Sequence, residues 1–330
     1  MKEEILDMLL QHKGYVSGEA LSKRFGVSRA AIWKSVQALR QQGCPIEAST
    51  RKGYRLSDAA DVLTKQAIEE RIRQLKLEDQ LPAVVCENIV VSTNLTAKQQ
   101  LEQLPDARVN HLIVAGRQTG GKGRRGRMWL SDHEKGLWFS LLLKPSAAPQ
   151  VMARATLLTG LAVTRAMQDV WQLPVGIKWP NDLICIRDGK KAGGILSEIL
   201  LEDQSVKGLV IGVGINLNIR DFPDELIHIA TSMYLIKPAV YKRIDVLASI
   251  LEQFFKLYPY LGDIDLWLPE YKQNCLTLGQ QVKATSFDGR VIEGTATNID
   301  HEGELVITDH EGGIHTVRSG EVSVRGMLGQ

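Results

Sequence analysis

Ile5 and Leu9 stand about one helical turn apart, and their spacing predicts an amphipathic first helix. Ser17 caps a second helix, Glu19 suits its first turn, and Gly26 ends it in the left-handed position that commonly closes a helix. After the short stretch FGVS, Ser28 caps a third helix with Ile32, Val36 and Leu39 on one face, ended by Gly43 and Pro45. IEAS, TRKG and YRL then predict strand, turn and strand. This is the pattern of a helix-turn-helix with a β-wing, and the tight turn between its second and third helices favours DNA binding over a plain helical bundle. The candidate DNA contacts are Ser28, Arg29, Trp33, Lys34 and Gln37 on the third helix and Arg51 and Lys52 on the wing.

Residues 58–82 predict a connection and a helix capped by Thr64, with Ile68, Ile72 and Leu75 on its apolar face. Strands and helices then alternate to about residue 270. The strand candidates are AVVCENIVV, HLIVAG, LWFSLLL, VGIKW, DLICI, GGILSEILL and GLVIGVGIN; the helix candidates are NLTAKQQLEQL, ATLLTGLAVTRAMQDVW and RIDVLASILEQFFKLY. Asp188-Gly189 predicts a two-residue hairpin turn. The order implies a mixed sheet with helices, α+β rather than repeated βαβ. From residue 275, alternating runs are punctuated by Asp288-Gly289, Glu302-Gly303 and Gly312-Gly313, which predicts a small antiparallel barrel. The expected domains are 1–63, 64–270 and 271–330.

Composition is that of an ordinary globular protein, and the formal net charge of +2 does not by itself point to nucleic acid. Local charge does: residues 1–57 hold ten Lys and Arg against five Asp and Glu, a net of +5. Cys44, Cys86, Cys185 and Cys275 form no C-x-x-C pair, and the seven histidines form no H-E-x-x-H, which argues against a zinc site and a disulfide scaffold. The N-terminus does not read as a signal peptide, and no apolar run is long enough for a membrane span. A cytoplasmic protein with no membrane partner and no tightly bound cofactor is expected.

The stretch AGRQTGGKGRRGRMW, from Ala115 to Trp129, approaches the phosphate-binding pattern G-x-x-x-x-G-K, but Gly123 stands where Ser or Thr is required. The residues after it leave no room for the helix whose dipole would meet the phosphates. Its cations and glycines suit a loop that is mobile when empty and closes over an anion; a solvated loop and a nucleic-acid patch are the alternatives. Other polar groups end strands. Ser92, Thr93 and Asn94 open a helix, and Gln118 follows HLIVAG. KWPND places Lys178, Asn181 and Asp182 at a turn, where Asp182 is the candidate carboxylate for Mg²⁺ carried by a nucleotide. Lys191 of GKKAGGIL offers a point charge for phosphate, and Asn216 closes GVGIN, which is not a dinucleotide fingerprint. No Ser-His-Asp or Cys-His signature is present, so an activated ligand attacked by an outside group fits better than a protein nucleophile.

In this order, the winged helix, STN, GKGRRGR, KWPND, KKAGGIL, GVGIN and the terminal barrel resemble the bifunctional biotin–protein ligases that also repress the biotin operon. The resemblance covers essentially the whole chain. Lys122 replaces the first Arg of the family's GRGRRGR, which keeps the charge and loses planar bidentate geometry. The resemblance implies an α+β multidomain protein: an N-terminal winged helix-turn-helix, a central mixed-sheet ligase domain and a small SH3-like barrel. It implies that biotin and MgATP give biotinyl-5′-adenylate, whose acyl group passes to a lysine of biotin carboxyl carrier protein. Ser92, Thr93, Asn94 and Gln118 would hold the biotin head, and Lys122, Gly123 and Arg124 would close over the biotin chain and the acyl phosphate. Lys191 would meet the carboxylate and α-phosphate, Arg124 and Asn216 the nucleotide, and Asp182 the Mg²⁺ or the incoming lysine. Lys191, Arg124 and Asp182 are thus the candidate catalytic residues, and Trp129 and Phe222 the candidates beside adenine. Operator DNA and a homodimer promoted by the adenylate complete the expected partners. A lipoate-type ligase and a non-catalytic sensing repressor are the rival readings.

Overall fold

The computed structural model describes residues 1–12, 14–41, 44–57, 61, 63–103, 110–144, 149–202, 205–286, 290–318 and 320–324. The N-terminal unit contains α1 (Lys2–Gln11), α2 (Gly18–Phe25), α3 (Arg29–Gln41), β1 (Ile46–Ser49) and β2 (Gly53–Leu56). Its caps are those the sequence predicts. Ser17 Oγ accepts from Ala20 N at 3.0 Å, Gly26 is left-handed at φ 65°, and Ser28 Oγ accepts from Ala31 N at 3.2 Å. Gly43 lies outside the described residues. β1 and β2 pair antiparallel as the wing, tied to the first helices by a bridge between Val16 and Tyr54. Gly53 sits at φ 100°, and a Cβ there would lie 2.1 Å from the Val16 carbonyl oxygen, so the wing can close on the helices only with glycine at this position. Ile5, Leu9, Leu21, Ile32, Val36 and Ile46 form a core separate from the rest of the molecule.

The central region follows with α4 (Lys65–Gln74), β3 (Ala83–Val90), α5 (Thr93–Gln103), β4 (His111–Gln118), β5 (Gly136–Leu143), α6 (Pro149–Ala153), α7 (Ala155–Arg165), β6 (Val175–Lys178), β7 (Asp182–Cys185), β8 (Lys191–Glu202), β9 (Ser205–Asn216), α8 (Met233–Ile236), α9 (Arg243–Leu257) and α10 (Leu268–Asn274). Seven strands form one sheet in the order β3-β4-β5-β9-β8-β7-β6. Only β3 and β4 pair in parallel; the other pairs are antiparallel, so the sheet is mixed. Every residue of β5 is buried because both faces are covered. Leu137, Phe139, Leu141 and Leu143 join the large core under α7 and α9, while Leu142 packs with Ala97 and Leu101 of α5.

Two local expectations change. The turn at Asp188-Gly189 spans residues 186–190 rather than two residues: Cys185 N donates to the Lys190 carbonyl at 2.9 Å, and Gly189 takes φ 68°. The register shift between Leu183 and Ile184 accompanies this wider loop. The run to Trp171 ends as an α-helix at Arg165 and widens into a π-turn over Ala166–Val170. Gln168, within that turn, donates to the Val175 carbonyl and to Asn274 Oδ1.

β10 (Gln281–Ser286), β11 (Val291–Ile299), β12 (Leu305–Thr308), β13 (Ile314–Val317) and β14 (Gly320–Val324) form a five-stranded antiparallel sheet in the order β13-β12-β11-β10-β14. Asp300 and Asp309 order its two described predicted turns by accepting backbone N–H groups from Glu302 and Glu304, and from Glu311 and Gly313. The Asp288-Gly289 turn lies outside the described residues. The core runs without a break from the seven-stranded sheet into this one through Val282, Ala296, Leu305 and Ile307. Trp179 joins the two by donating Nε1–H to the Gly303 carbonyl and N–H to Thr277 Oγ1. Helix α10 runs across the expected 270/271 boundary.

Candidate functional site

All the ligand-site residues expected from the sequence line one cavity of about 220 Å³: Ser92, Thr93, Asn94, Gln118, Lys122, Gly123, Arg124, Trp129, Asp182, Lys191, Asn216 and Phe222. It lies on the α5 face of the sheet. β4 ends at Gln118, the α5 N-terminus brings Thr93 and Asn94, and the ends of β8 and β9 bring Lys191 and Asn216. Val322 of the terminal sheet closes one wall.

One group of residues is neutral and hydrogen-bonded. Thr93 gives both its N–H and its hydroxyl to Gln118 Oε1, at 2.8 and 3.1 Å. Gln118 Nε2 donates to Ser131 Oγ at 3.2 Å, and Ser140 Oγ lies 2.7 Å from Thr93 Oγ1 and 2.6 Å from Asn94 Oδ1. Asn94 donates to the Leu196 carbonyl and to Glu198 Oε2. Ser140, Ser131 and Glu198 were not among the expected site residues. Their signal was present: Ser140 is the one polar residue of LWFSLLL, and Glu198 the one charge of GGILSEILL. Ser131 Oγ also donates to the Trp129 carbonyl.

The second group is charged. Lys191 Nζ and Asp182 Oδ1 are 2.7 Å apart, with only 21% and 13% of their side chains exposed. Asn181 Nδ2 donates to the same Asp182 oxygen at 3.0 Å, and Arg124 donates to Asn181 Oδ1 at 3.3 Å. Lys191 Nζ also lies 5.2 Å above the Trp129 ring, within range of a cation–π attraction. Trp129 therefore borders both groups. Its Nε1–H is buried and has no acceptor among the described residues, so it is a donor available to a ligand. The glycines of GVGIN have a clear purpose: a Cβ at Gly212 would lie 2.2 Å from Asn94 Oδ1, and one at Gly214 would lie 2.7 Å from Trp129 Nε1. Asn216 donates to the Thr231 carbonyl at 3.0 Å and so anchors the segment carrying Ile229 and Ala230.

The glycine-rich loop is held by its own backbone. Lys122 bridges Met128, Gly123 N donates to the Arg127 carbonyl, and Trp129 N donates to the Gly121 carbonyl. Its tip is a single 3₁₀ turn, Arg124–Gly126, with Arg125 at φ 56° and Gly126 at φ 73°. Arg125 reaches the Thr285 carbonyl of the terminal sheet.

No cluster of His, Cys, Asp and Glu suited to a metal occurs among the described residues, and burial pushes the Cys44, Cys185 and Cys275 thiols up, away from thiolate. On the N-terminal unit, Ser28, Arg29, Lys34, Arg51 and Lys52 are exposed, and so is Trp33 at 54%. Gln37 is half-buried rather than exposed, since it flanks the inward-facing Ser35 and Val36. Among the described residues, no helix is long and apolar enough to cross a membrane.

Comparison with known proteins agrees with this arrangement. Residues 2–55 match the HTH domain, 87–216 the biotin/lipoate A/B protein ligase family, and 277–325 the biotin protein ligase C terminal domain. The bifunctional ligase/repressor BirA of Bacillus subtilis (strain 168) is 34% identical over 94% of this chain and 95% of its own length. That of Escherichia coli (strain K12) is 27% identical over 96% and 95%. The structure of biotin protein ligase from Aquifex aeolicus in complex with biotin and ATP aligns with a TM-score of 0.61 and 31% identity, over 74% of this chain and 98% of that one. From its N-terminal helix-turn-helix to its terminal sheet, the chain belongs to the family of bifunctional biotin protein ligases and repressors.

Proposed function

We propose that this ligase and repressor works through the residues of the single cavity described above, in two steps. The carboxylate of biotin attacks the α-phosphorus of ATP; the bond to the β-phosphate breaks, and pyrophosphate leaves. The uncharged amine of a lysine on biotin carboxyl carrier protein then attacks the acyl carbon of biotinyl-5′-adenylate, and AMP leaves. The observation that carries the reading is the meeting in one cavity of a buried amide–hydroxyl group with the Arg124–Asn181–Asp182–Lys191 chain. The first group suits a neutral urea-like head, and the second suits a carboxylate and a phosphate.

In this reading Ser92, Thr93, Asn94 and Gln118 bind the head, and Lys122, Gly123 and Arg124 cover the biotin chain and the acyl phosphate. Lys191 stabilises the charge that develops at the α-phosphate. Arg124 and Asn216 serve the nucleotide, with Trp129 and Phe222 beside its base. Mg²⁺ is bound largely through substrate phosphates in such sites. Asp182, the carboxylate that lines the cavity, would serve either an ion that arrives with ATP or the incoming lysine.

We read residues 1–63 as the DNA-binding domain, 64–270 as the ligase domain and 271–330 as an SH3-like barrel, in a cytoplasmic protein. The adenylate promotes a homodimer whose two winged helices bind paired operator half-sites. Biotin-dependent exchange of pyrophosphate into ATP tests the catalytic reading: exchange driven by lipoate, or no exchange, would reject it. Sedimentation and operator titration with and without adenylate test the regulatory reading, which requires both to respond.

A further inference from the structure

Glu198 lies on β8 outside the expected site, yet it fixes one of the site's amides. Its Oε2 accepts from Asn94 Nδ2 at 2.8 Å, and its Oε1 pairs with Lys98 Nζ of α5 at 2.6 Å. The second Asn94 N–H reaches the Leu196 carbonyl at 3.2 Å. A carboxylate and a carbonyl only accept, so a flipped Asn94 would press its oxygen against two acceptors. The amide is therefore locked with Oδ1 toward Ser140. Ser140 has one proton for two acceptors, Asn94 Oδ1 at 2.6 Å and Thr93 Oγ1 at 2.7 Å. Thr93 in turn gives its N–H and hydroxyl to Gln118 Oε1, which leaves Gln118 Nε2 facing Ser131. Thr93, Asn94, Gln118, Ser131 and Ser140 are all less than 9% exposed, so water does not readily substitute in the chain.

We infer that Glu198 is a positioning residue which, through Asn94, Ser140 and Thr93, sets the donor–acceptor polarity of the wall that receives the urea head of biotin. This deepens the reading that the head lies against Thr93, Asn94 and Gln118, and it rests on that reading. A urea presents one acceptor flanked by two donors, so the wall must offer the complementary order. Without the Glu198 carboxylate, Asn94 is free to turn its NH₂ toward Ser140. Ser140 then gives its proton to Thr93 alone, and the Asn94 end of the wall changes from acceptor to donor while Thr93 still donates to Gln118.

The test uses the full-length protein in biotin-dependent pyrophosphate exchange. Glu198→Gln keeps the shape and adds a donor, which removes the lock. The KM for biotin is expected to rise about tenfold, the size of one lost hydrogen bond, with kcat changed by less than about twofold. The preference for biotin over 2-iminobiotin, in which the urea oxygen is replaced by an N–H-bearing nitrogen, is expected to narrow. Glu198→Asp keeps the charge but withdraws the oxygen from Asn94, so it should raise KM in the same way. Asn94→Ala separates the two layers of the reading. If Asn94→Ala raises the KM for biotin while both Glu198 variants leave KM and the analogue preference unchanged, the role of Glu198 is overturned and the biotin site stands. If none of the three variants moves KM, the biotin head does not lie here, and the inference falls with that reading.

Discussion

Lys191→Met removes the ammonium from the charged group while keeping most of the side chain's bulk. Two effects follow, and the structure separates them. Asp182 loses a partner 2.7 Å away in a site where its side chain is 13% exposed, and keeps only the Asn181 Nδ2 donor at 3.0 Å. Breaking a fully buried pair costs about 3–5 kcal/mol. With a fifth of Lys191 exposed and Asn181 still donating, a loss of about 1–3 kcal/mol in folding stability is expected. The chemical effect is distinct. A cation aimed at charge developing on the α-phosphate is worth about 10²–10³ in rate, or roughly 3–4 kcal/mol. The double variant Lys191→Met, Asp182→Asn tells them apart. With both charges gone, the unpaired carboxylate is removed and stability should return to within about 1 kcal/mol of the parent. The exchange rate at saturating biotin and ATP should stay low. Urea unfolding and pyrophosphate exchange on the four proteins complete the cycle. Recovery of exchange along with stability would show that Lys191 matters only as the partner of Asp182, and the assigned role at the phosphate would be refuted.

Arg124→Gly should leave folding intact, because Arg124 is half-exposed on a loop. It should speed adenylate dissociation about 5- to 150-fold, the equivalent of about 1–3 kcal/mol; an unchanged stopped-flow rate would remove Arg124 from the clamp. Asp61→Ala should lower stability by about 3–5 kcal/mol, since Asp61 holds both the backbone N–H and the guanidinium of Arg243, whose side chain is 8% exposed; a loss under about 1 kcal/mol on urea unfolding would contradict this. Burial, reinforced by Lys144 and Lys135, holds the His111 and His133 imidazoles below the usual 6.5. Their neutral forms favour the folded state above that pH, and this contribution is lost as pH falls through the lowered values. The melting temperature should therefore drop from about pH 7 to pH 5.5, and a His111→Gln, His133→Gln variant should flatten the drop; an equal slope would exclude both groups. Removing residues 1–63 should abolish operator binding and leave measurable exchange in a core destabilised by the loss of Asp61 from Arg243; a truncated protein still shifting operator DNA would overturn this.

Much of the local structure was legible because it depends on near neighbours. Ser17, Ser28 and Thr64 cap helices through backbone groups three residues away. LWFSLLL was legible as a strand, and the ligand-site motifs named from the sequence all reach one cavity. What stayed hidden is non-local. Nothing in GGILSEILL says that Glu198 meets Asn94 and Lys98, about a hundred residues earlier, because that contact requires β8 and α5 to be packed together across the sheet. Lys191 and Asp182 were legible as separate charges in separate motifs; their pairing follows from the register that sets Asp182 opposite Gly194 at the start of β8. Asp61 and Arg243 are 182 residues apart and join only when the connection after the wing folds onto the N-terminus of α9. Sequence thus determined the elements and the chemical groups they carry, through short-range hydrogen bonding and the periodicity of burial. The tertiary structure decided which groups share a site and which way their hydrogen bonds run, because burial forces each polar atom to take its partner from whatever distant strand or helix the packing brings beside it.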